Sequence, residues 1–318
     1  MGMGVIGPYY ELKPFIPERL RWGIRRVIAR YQLGRCAGTW PVDPKAANAP
    51  PGWPGWPGKK QFAFVLTHDV EGMRGFQRCA ALMDVDEKFG FRSAFYLVPE
   101  GAYTVDDAFL TGIRRRGFEV GVHDLKHDGK LFKSRNTFLS GARRINKYLG
   151  RWNAVGFRAA FMRHNTDWAH ALEVEYDAST FDTDPFEPQP DGLKTIYPTW
   201  MAGEDGGGYM AMPYTLPQDS TMFLLLKNPS IDLWKKKVDW VAEQGGMVLL
   251  DTHPDYIAFE GENPVFKTYP AARYVELLSY VKNRHEGRYW HALPHQVAEY
   301  AKSQLLRGRD TGQIKTKS

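Results

Sequence analysis

The 318-residue chain has the composition of a globular protein: 43% of its residues are hydrophobic and 14% aromatic, which excludes a disordered chain. The net charge of +6 suits an anionic partner, but acidic residues occur throughout and no dense basic run interleaves with aromatics, so we expect no nucleic-acid partner. The sequence shows neither a secretory signal nor an apolar run long enough to span a membrane, so we expect a cytoplasmic protein. Cys36 and Cys79 form no CxxC pair, so we expect no thiolate metal site.

The first predicted element is a basic amphipathic helix over residues 17–33. Its apolar residues recur at helical spacing, with arginines among them: Leu20, Ile24, Val27, Ile28 and Tyr31, with Arg19, Arg21, Arg25, Arg26 and Arg30. We favour a helix that docks this apolar stripe on the main domain. The alternative is an interfacial helix that holds the protein on anionic lipid at the inner face of the membrane.

A proline- and glycine-rich segment, residues 50–58, follows and breaks regular structure. We expect its tryptophans, Trp53 and Trp56, to cap apolar surface rather than to stack on a sugar. The chain is therefore divided into an N-terminal helix and linker (1–58), a main domain (59–305) and a basic tail predicted to be disordered (306–318).

Within the main domain, short apolar runs alternate with helical patterns. The predicted strands are Phe62–Thr67, Ser93–Val98, Phe118–Val122, Val155–Arg158, Ala178–Phe181 and Met247–Leu250. The predicted helices are Arg74–Phe89, Asp106–Arg116, Thr137–Leu149, Trp168–Glu175 and Asp232–Gln244. This alternation is typical of parallel strands with right-handed crossovers, in a barrel or an open sheet.

Reactive side chains follow these strands, which favours a barrel. They are His68, Asp69 and Glu71, then His123 and His127, then Arg158, then Asp182 and Asp184, then Asp251 and His253. Active sites of β/α barrels are assembled from the carboxyl ends of the strands. No nucleotide-binding glycine motif follows a strand, which removes the main alternative use of an open sheet, so we favour a barrel of eight strands or fewer.

The pair His123 and His127 is the strongest indication of chemistry. Spaced four residues apart after a strand, the two imidazoles can bind one divalent metal ion if a third ligand comes from elsewhere. A pair of this kind also arises by chance, so it becomes informative only beside the other strand-end residues.

Taken in order, these residues resemble the motifs of the polysaccharide deacetylase family, the NodB-like carbohydrate esterases, over roughly residues 61–300. Its T-F-D-D motif is similar to Thr67–Val70, its H-[ST]-x-x-H motif to His123–His127, and its R-x-P-[YF] motif to Arg158–Phe161. A later aspartate is matched by Asp182 or Asp184, and the final histidine by His253. The resemblance implies a distorted (β/α)7 TIM-like barrel and a metal-dependent hydrolase that removes acetyl groups from sugars.

The resemblance also implies roles. Asp69 would be the general base, Arg158 its partner, His253 the general acid, and His123 and His127 metal ligands, while Asp182, Asp184 or Asp251 would keep His253 protonated. Val70 stands where the family has a metal-binding aspartate, so we expect Glu71 to be the third ligand. The alternative makes Asp69 the ligand and His68 the base.

Zinc is the expected metal, although cobalt or another divalent ion would suit the same ligands. The expected substrate is a bacterial glycan or lipid-linked glycan precursor that carries an N-acetyl or O-acetyl group. Two alternatives stay open because of Val70 and the missing motif proline: a metal-binding but inactive glycan-binding protein, and a hydrolase of small amides.

Overall fold

The structure is a computed structural model that describes residues 17–204, 206–262 and 265–313. The α-helices are α1 (Glu18–Arg35), α2 (Met73–Phe89), α3 (Asp107–Arg115), α4 (Arg135–Arg151), α5 (Thr166–Ala169), α6 (Asp232–Gln244), α7 (Ala272–His285) and α8 (Pro294–Gln313). The strands are β1 (Phe62–Val70), β2 (Ala94–Leu97), β3 (Glu119–His123), β4 (Gly156–Arg158), β5 (Tyr176–Asp177), β6 (Thr199–Ala202), β7 (Gly208–Ala211), β8 (Met247–Thr252), β9 (Ile257–Ala258), β10 (Tyr269–Pro270) and β11 (Tyr289–His291).

The strands form a curled, mainly parallel sheet with helices outside it. Strands β8, β1, β2, β3, β4, β5 and β7 lie side by side and parallel, β11 pairs with the start of β1, and β6 is antiparallel to β7. Beyond β7, the amides of Thr215 and Leu216 donate to the carbonyl of Leu249 in β8, at 3.0 and 3.2 Å. These bonds bring the two edges of the sheet together, so the predicted distorted (β/α)7 barrel is confirmed.

Strand β1 shows how the sequence positions the site. Successive side chains of a strand point to opposite faces. Phe64 and Val70 belong to the core between the sheet and the helices, whereas Ala63 and Val65 belong to the core inside the barrel. The alternate side chains of β1 that point into the barrel therefore include Asp69, whereas Val70 points away from the barrel interior.

Two predicted elements are shorter than expected. The predicted strand Ala178–Phe181 is replaced by β5, which ends at Asp177, because Asp177 Oδ1 accepts the amide of Ser179 at 2.8 Å and turns the chain. The predicted helix Trp168–Glu175 is reduced to the four residues of α5. The β6–β7 hairpin, a π-helical turn at Ser220–Leu225, and helices α7 and α8 were not predicted.

The predicted docking of α1 is wrong in its orientation. Leu20 and Val27 of the apolar stripe are 57% and 67% exposed, whereas Ala29 on another face is 1% exposed. Arg26 Nε donates to the carbonyl of Leu224 at 3.2 Å, and Gln32 Nε2 to that of Pro185 at 2.9 Å. The surface beneath α1 presents carbonyl oxygens, so the face of α1 that packs on it is the one that carries hydrogen-bond donors.

The tryptophans of the proline-rich segment cap apolar surface, as expected. Trp56 is 4% exposed, packs beside Trp290 and donates to the carbonyl of Gly245, which follows α6 and precedes β8. This is the end of the barrel opposite the carboxyl ends of the strands. Helix α8 extends to Gln313, and residues 314–318 lie outside the described part. The predicted division of the chain after residues 58 and 305 stays a prediction.

Among the described residues, no helix combines the length and apolarity needed to cross a membrane.

Candidate active site

Three side chains converge at the carboxyl ends of β1 and β3. Glu71 follows β1, His123 ends β3, and His127 lies in the loop after it. One ligand atom from each lies within 4.8 Å of the others, and His127 Nε2 lies 3.1 Å from Glu71 Oε1. Two imidazoles and one carboxylate at this spacing form a set that can bind a divalent metal ion.

The hydrogen bonds of His123 fit a metal ligand. Its Nδ1 lies 3.0 Å from the carbonyl oxygen of Arg158, which can only accept, so Nδ1 carries the proton and Nε2 a free lone pair. Its Nε2 is buried and has no hydrogen-bond partner among the described residues, and the buried Nε2 of His127 lies against the Glu71 carboxylate, at 3.1 Å. Burial also lowers the pKa of His123, which favours the neutral ring that a metal requires. The residues present therefore fit the metal that the motif resemblance implies.

Glu71 is held in place by the turn that follows β8. Its amide donates to Asp255 Oδ2 at 2.9 Å, and its carboxylate accepts a hydrogen bond from the Tyr256 hydroxyl. Asp255 also accepts from the amide of Gly75, where a Cβ would lie 2.0 Å from Asp255 Oδ2. Glycine at position 75 therefore allows the turn to approach closely and to orient Glu71.

Beside this cluster, Arg158 binds two buried carboxylates. Its Nη1 donates to Asp69 Oδ1 at 2.9 Å and to Asp251 Oδ1 at 2.7 Å, while its guanidinium lies 4.4 Å from the Tyr96 ring centroid. Arg158 and Asp251 are 0% exposed and Asp69 is 2% exposed. Burial alone would raise the pKa of Asp69, but Arg158, together with His123 and His253, outweighs burial and lowers this pKa. Asp69 is thus held as a carboxylate beside His123, whose Nε2 lies 3.6 Å from Asp69 Oδ2.

His253 completes the cluster from β8. Its Nε2 lies 3.9 Å from Glu71 Oε1 and 4.0 Å from Asp251 Oδ2, and its Nδ1 donates to Asp219 Oδ1 at 2.7 Å. Burial opposes protonation, but Asp219 and Asp251 raise the pKa of His253 well above its usual range. The main acidic partner of His253 is therefore Asp219, which the sequence did not indicate because β7, the strand that precedes it, was not predicted.

We expect Asp219→Asn to lower kcat for the proposed hydrolysis by about 10²-fold, because Asp219 orients His253 and keeps it protonated, and a positioned acid contributes roughly 10²–10⁴-fold. Metal content should be unchanged, since Asp219 lies outside the ligand set. Steady-state kinetics and metal analysis check both. Tyr269→Phe removes another hydrogen bond to Asp219, of 3.0 Å, and is the control. Equal losses in the two variants would mean that Asp219 acts only structurally.

The other sequence candidates lie elsewhere. His68 is fully buried toward the helices, with Nδ1 2.7 Å from Thr252 Oγ1 and Nε2 3.3 Å from Asp86 Oδ2, so it cannot serve as the base. Asp182 pairs with Lys237. Asp184 accepts from the Tyr214 hydroxyl at 2.9 Å and is not brought into contact with His253. Its predicted catalytic role therefore has no support from its contacts.

Four of the clustered residues, Asp69, Glu71, His123 and His253, line one cleft whose walls include aromatic side chains. Its lining includes Trp22 and Arg25 of α1, with Phe161, Phe186 and Tyr256. Phe161 is 43% exposed, has a φ of 58°, and lies over His127 with ring centroids 5.0 Å apart. A positive φ at a bulky residue is costly, and such strain concentrates at functional sites. The exposed ring is suited to contact the face of a sugar.

Comparisons with known proteins support the fold. No family model and no curated protein sequence matches the chain. A crystal structure of a protein described as a polysaccharide deacetylase from Mycobacterium smegmatis matches with a TM-score of 0.58 and 20% identity, covering 80% of this chain and 95% of that one.

Two further solved structures match with lower TM-scores. One is the peptidoglycan deacetylase PdaC from Bacillus subtilis, with 13% identity, a TM-score of 0.46, and coverage of 81% of this chain and 97% of that one. The other is a family 4 carbohydrate esterase from Streptomyces lividans in complex with acetate, with 12% identity, a TM-score of 0.42, and coverage of 71% and 90%. The match to the Mycobacterium smegmatis structure confirms the motif resemblance at the level of the fold: the chain has the NodB-like fold of the polysaccharide deacetylases.

Proposed function

We propose that the protein is a metal-dependent hydrolase that removes an acetyl group from an N-acetylated sugar of a glycan. The observation that carries the proposal is the convergence of two buried imidazole nitrogens, Nε2 of His123 and Nε2 of His127, with the carboxylate of Glu71. Asp69 lies beside His123 and His253 lies beside Glu71, and these two side chains supply the base and the acid that hydrolysis of an amide requires. Zinc is the metal proposed first.

The proposed roles follow from the contacts. A divalent ion bound by Glu71, His123 and His127 would acidify water and polarise the acetyl carbonyl. Asp69, held ionised by Arg158, accepts the proton of the attacking water. His253, held protonated by Asp219, donates a proton to the departing sugar amine. Phe161 and the aromatic walls of the cleft position the sugar ring.

The test is acetate release from N-acetylated oligosaccharides by the purified protein, before and after treatment with a chelator. We expect the chelator to abolish activity and stoichiometric zinc or cobalt to restore it, because the residues that would bind metal also surround the reacting carbonyl. The variant His123→Ala should be inactive with or without added metal, whereas His170→Ala, a histidine outside the cleft, should behave as wild type. Activity that survives both the chelator and His123→Ala would refute the mechanism.

The same experiment separates the alternatives. Stoichiometric metal binding without acetate release from any acetylated sugar would favour an inactive glycan-binding protein. Hydrolysis of small amides without activity on sugars would favour an amide hydrolase with the same metal-binding residues.

A further inference from the structure

Helix α1 presents its apolar stripe to solvent. Leu20, Val27, Ile28 and Tyr31 are 57%, 67%, 44% and 66% exposed, and their spacing of seven, one and three residues places them on one face. An exposed apolar stripe of this length is unusual, since surface helices normally direct apolar residues to the core.

The outward orientation is fixed by contacts on the opposite face. Ala29 is buried, Arg26 donates to the carbonyl of Leu224, and Gln32 donates to that of Pro185. Rotation of the helix to bury its stripe would break these hydrogen bonds. The stripe is therefore a stable feature of the folded surface.

The arginines of α1 give this surface a positive charge. Arg19, Arg30 and Arg35 are exposed, and among the described residues no arginine of α1 lies within 4.0 Å of a carboxylate oxygen. The guanidinium of Arg19 lies 5.5 Å from the ring centroid of Phe266, and that of Arg35 lies 5.7 Å from the ring centroid of Tyr31. Cations beside an exposed apolar stripe are complementary to the headgroups and acyl boundary of an anionic bilayer.

The helix that carries the stripe also forms part of the wall of the cleft, through its opposite face. Trp22 and Arg25 of α1 line the cleft together with Glu71 and His253. Among the described residues, five of the exposed large apolar side chains lie on α1: Leu20, Val27, Ile28, Tyr31 and Leu33. Of the others, Phe161 lines the cleft and Val265 lines an adjoining hollow that shares Glu71 and Tyr256 with it, whereas Met73 lies at the start of α2.

We propose that this surface docks on an anionic lipid bilayer and places the open cleft at the lipid interface. The substrate is then a glycan attached to the membrane. This inference about the substrate rests on the proposed deacetylase function, whereas the inference about docking does not. Because the cleft wall and the docking helix are the same element, docking would deliver a membrane-attached sugar directly to Glu71 and His253.

Docking is tested by co-sedimentation of the full chain with vesicles, without an activity readout. We expect binding to vesicles that contain phosphatidylglycerol, weak binding to phosphatidylcholine alone, and a loss of at least tenfold for Val27→Gln/Tyr31→Gln, which removes apolar surface without a change of charge. Arg30→Gln/Arg35→Gln should also weaken binding at low salt. The matched control, Arg143→Gln/Lys147→Gln, removes the same charge from exposed positions of α4 and should bind as wild type.

Two results would overturn docking: equal binding by Val27→Gln/Tyr31→Gln and wild type, or a stable dimer in light scattering that this variant converts to a monomer, which would show that a second copy covers the stripe. Circular dichroism confirms that the variants are folded.

The substrate is tested by comparing a soluble acetylated oligosaccharide with an acetylated glycolipid in vesicles. The variant Val27→Gln/Tyr31→Gln should lose activity only on the glycolipid. Equal activity of wild type and variant on the glycolipid would refute the membrane-attached substrate. A wild type that binds vesicles but releases no acetate would refute the proposed function and leave docking in place.

Discussion

Glu71→Gln should lower zinc affinity by more than tenfold and abolish acetate release at limiting zinc, whereas Asp69→Asn should leave zinc affinity near that of wild type and lower kcat by about 10²–10⁴-fold. Glu71 contributes the carboxylate closest to His127, and even loss of an outer-shell partner typically costs roughly 10–100-fold in metal affinity. Asp69 is instead held by the hydrogen bond from Arg158 to its Oδ1, so its carboxylate is available as a proton acceptor and not as a metal ligand. The variants therefore separate metal binding from proton transfer.

Competition with a chromogenic chelator measures the zinc affinity, and single-substrate kinetics at saturating zinc measure kcat. Glu187→Gln is the matched control, because Glu187 also lies in the cleft wall but is bonded to Tyr214 and Gln218 and not to the proposed ligands. It should retain zinc. A loss of zinc in Asp69→Asn with normal affinity in Glu71→Gln would reverse the assignment and make Asp69 the ligand.

Arg158→Met should destabilise the folded protein by about 3–5 kcal/mol, the usual cost of removing one partner of a buried ion pair. Arg158 is fully buried and its Nη1 contacts the carboxylates of both Asp69 and Asp251. Without the guanidinium these carboxylates stay in the barrel interior and lose the cation that contacts both of them. Burial already raises the pKa of Asp251 well above its usual range although Arg158 lowers it, so further loss of positive charge is costly.

Urea unfolding followed by tryptophan fluorescence measures this change in the free energy of unfolding. The triple variant Arg158→Met/Asp69→Asn/Asp251→Asn removes both carboxylates and should recover at least about 1 kcal/mol. Arg143→Met, at an exposed position of α4, should stay within about 0.5 kcal/mol of wild type. If Arg158→Met alone stays within that limit, the buried charges are not what holds the barrel centre together.

Much of the fold could be predicted from periodicity. Strand β1, helices α2, α3 and α6, and the parallel alternation are clear because their apolar residues repeat at the spacing of a buried strand or of a helix face. Elements controlled by side-chain hydrogen bonds were less predictable. The Asp177–Ser179 bond ends β5 early, and the strands of the β6–β7 hairpin are only four residues each, too short to show a clear period.

By itself, the sequence determined which side chains follow the strands and therefore which can meet at one end of a parallel barrel: Asp69, Glu71, His123, His127, Arg158 and His253. It could not choose between Glu71 and His68 as the residue beside Asp69 in the site, because that depends on which face of β1 each occupies. The tertiary structure decided it, since Val70 and His68 pack toward the helices while Glu71 turns to His127. Only the tertiary structure identified Asp219 as the partner of His253 and turned the apolar stripe of α1 to solvent, because both depend on contacts between segments far apart in the chain.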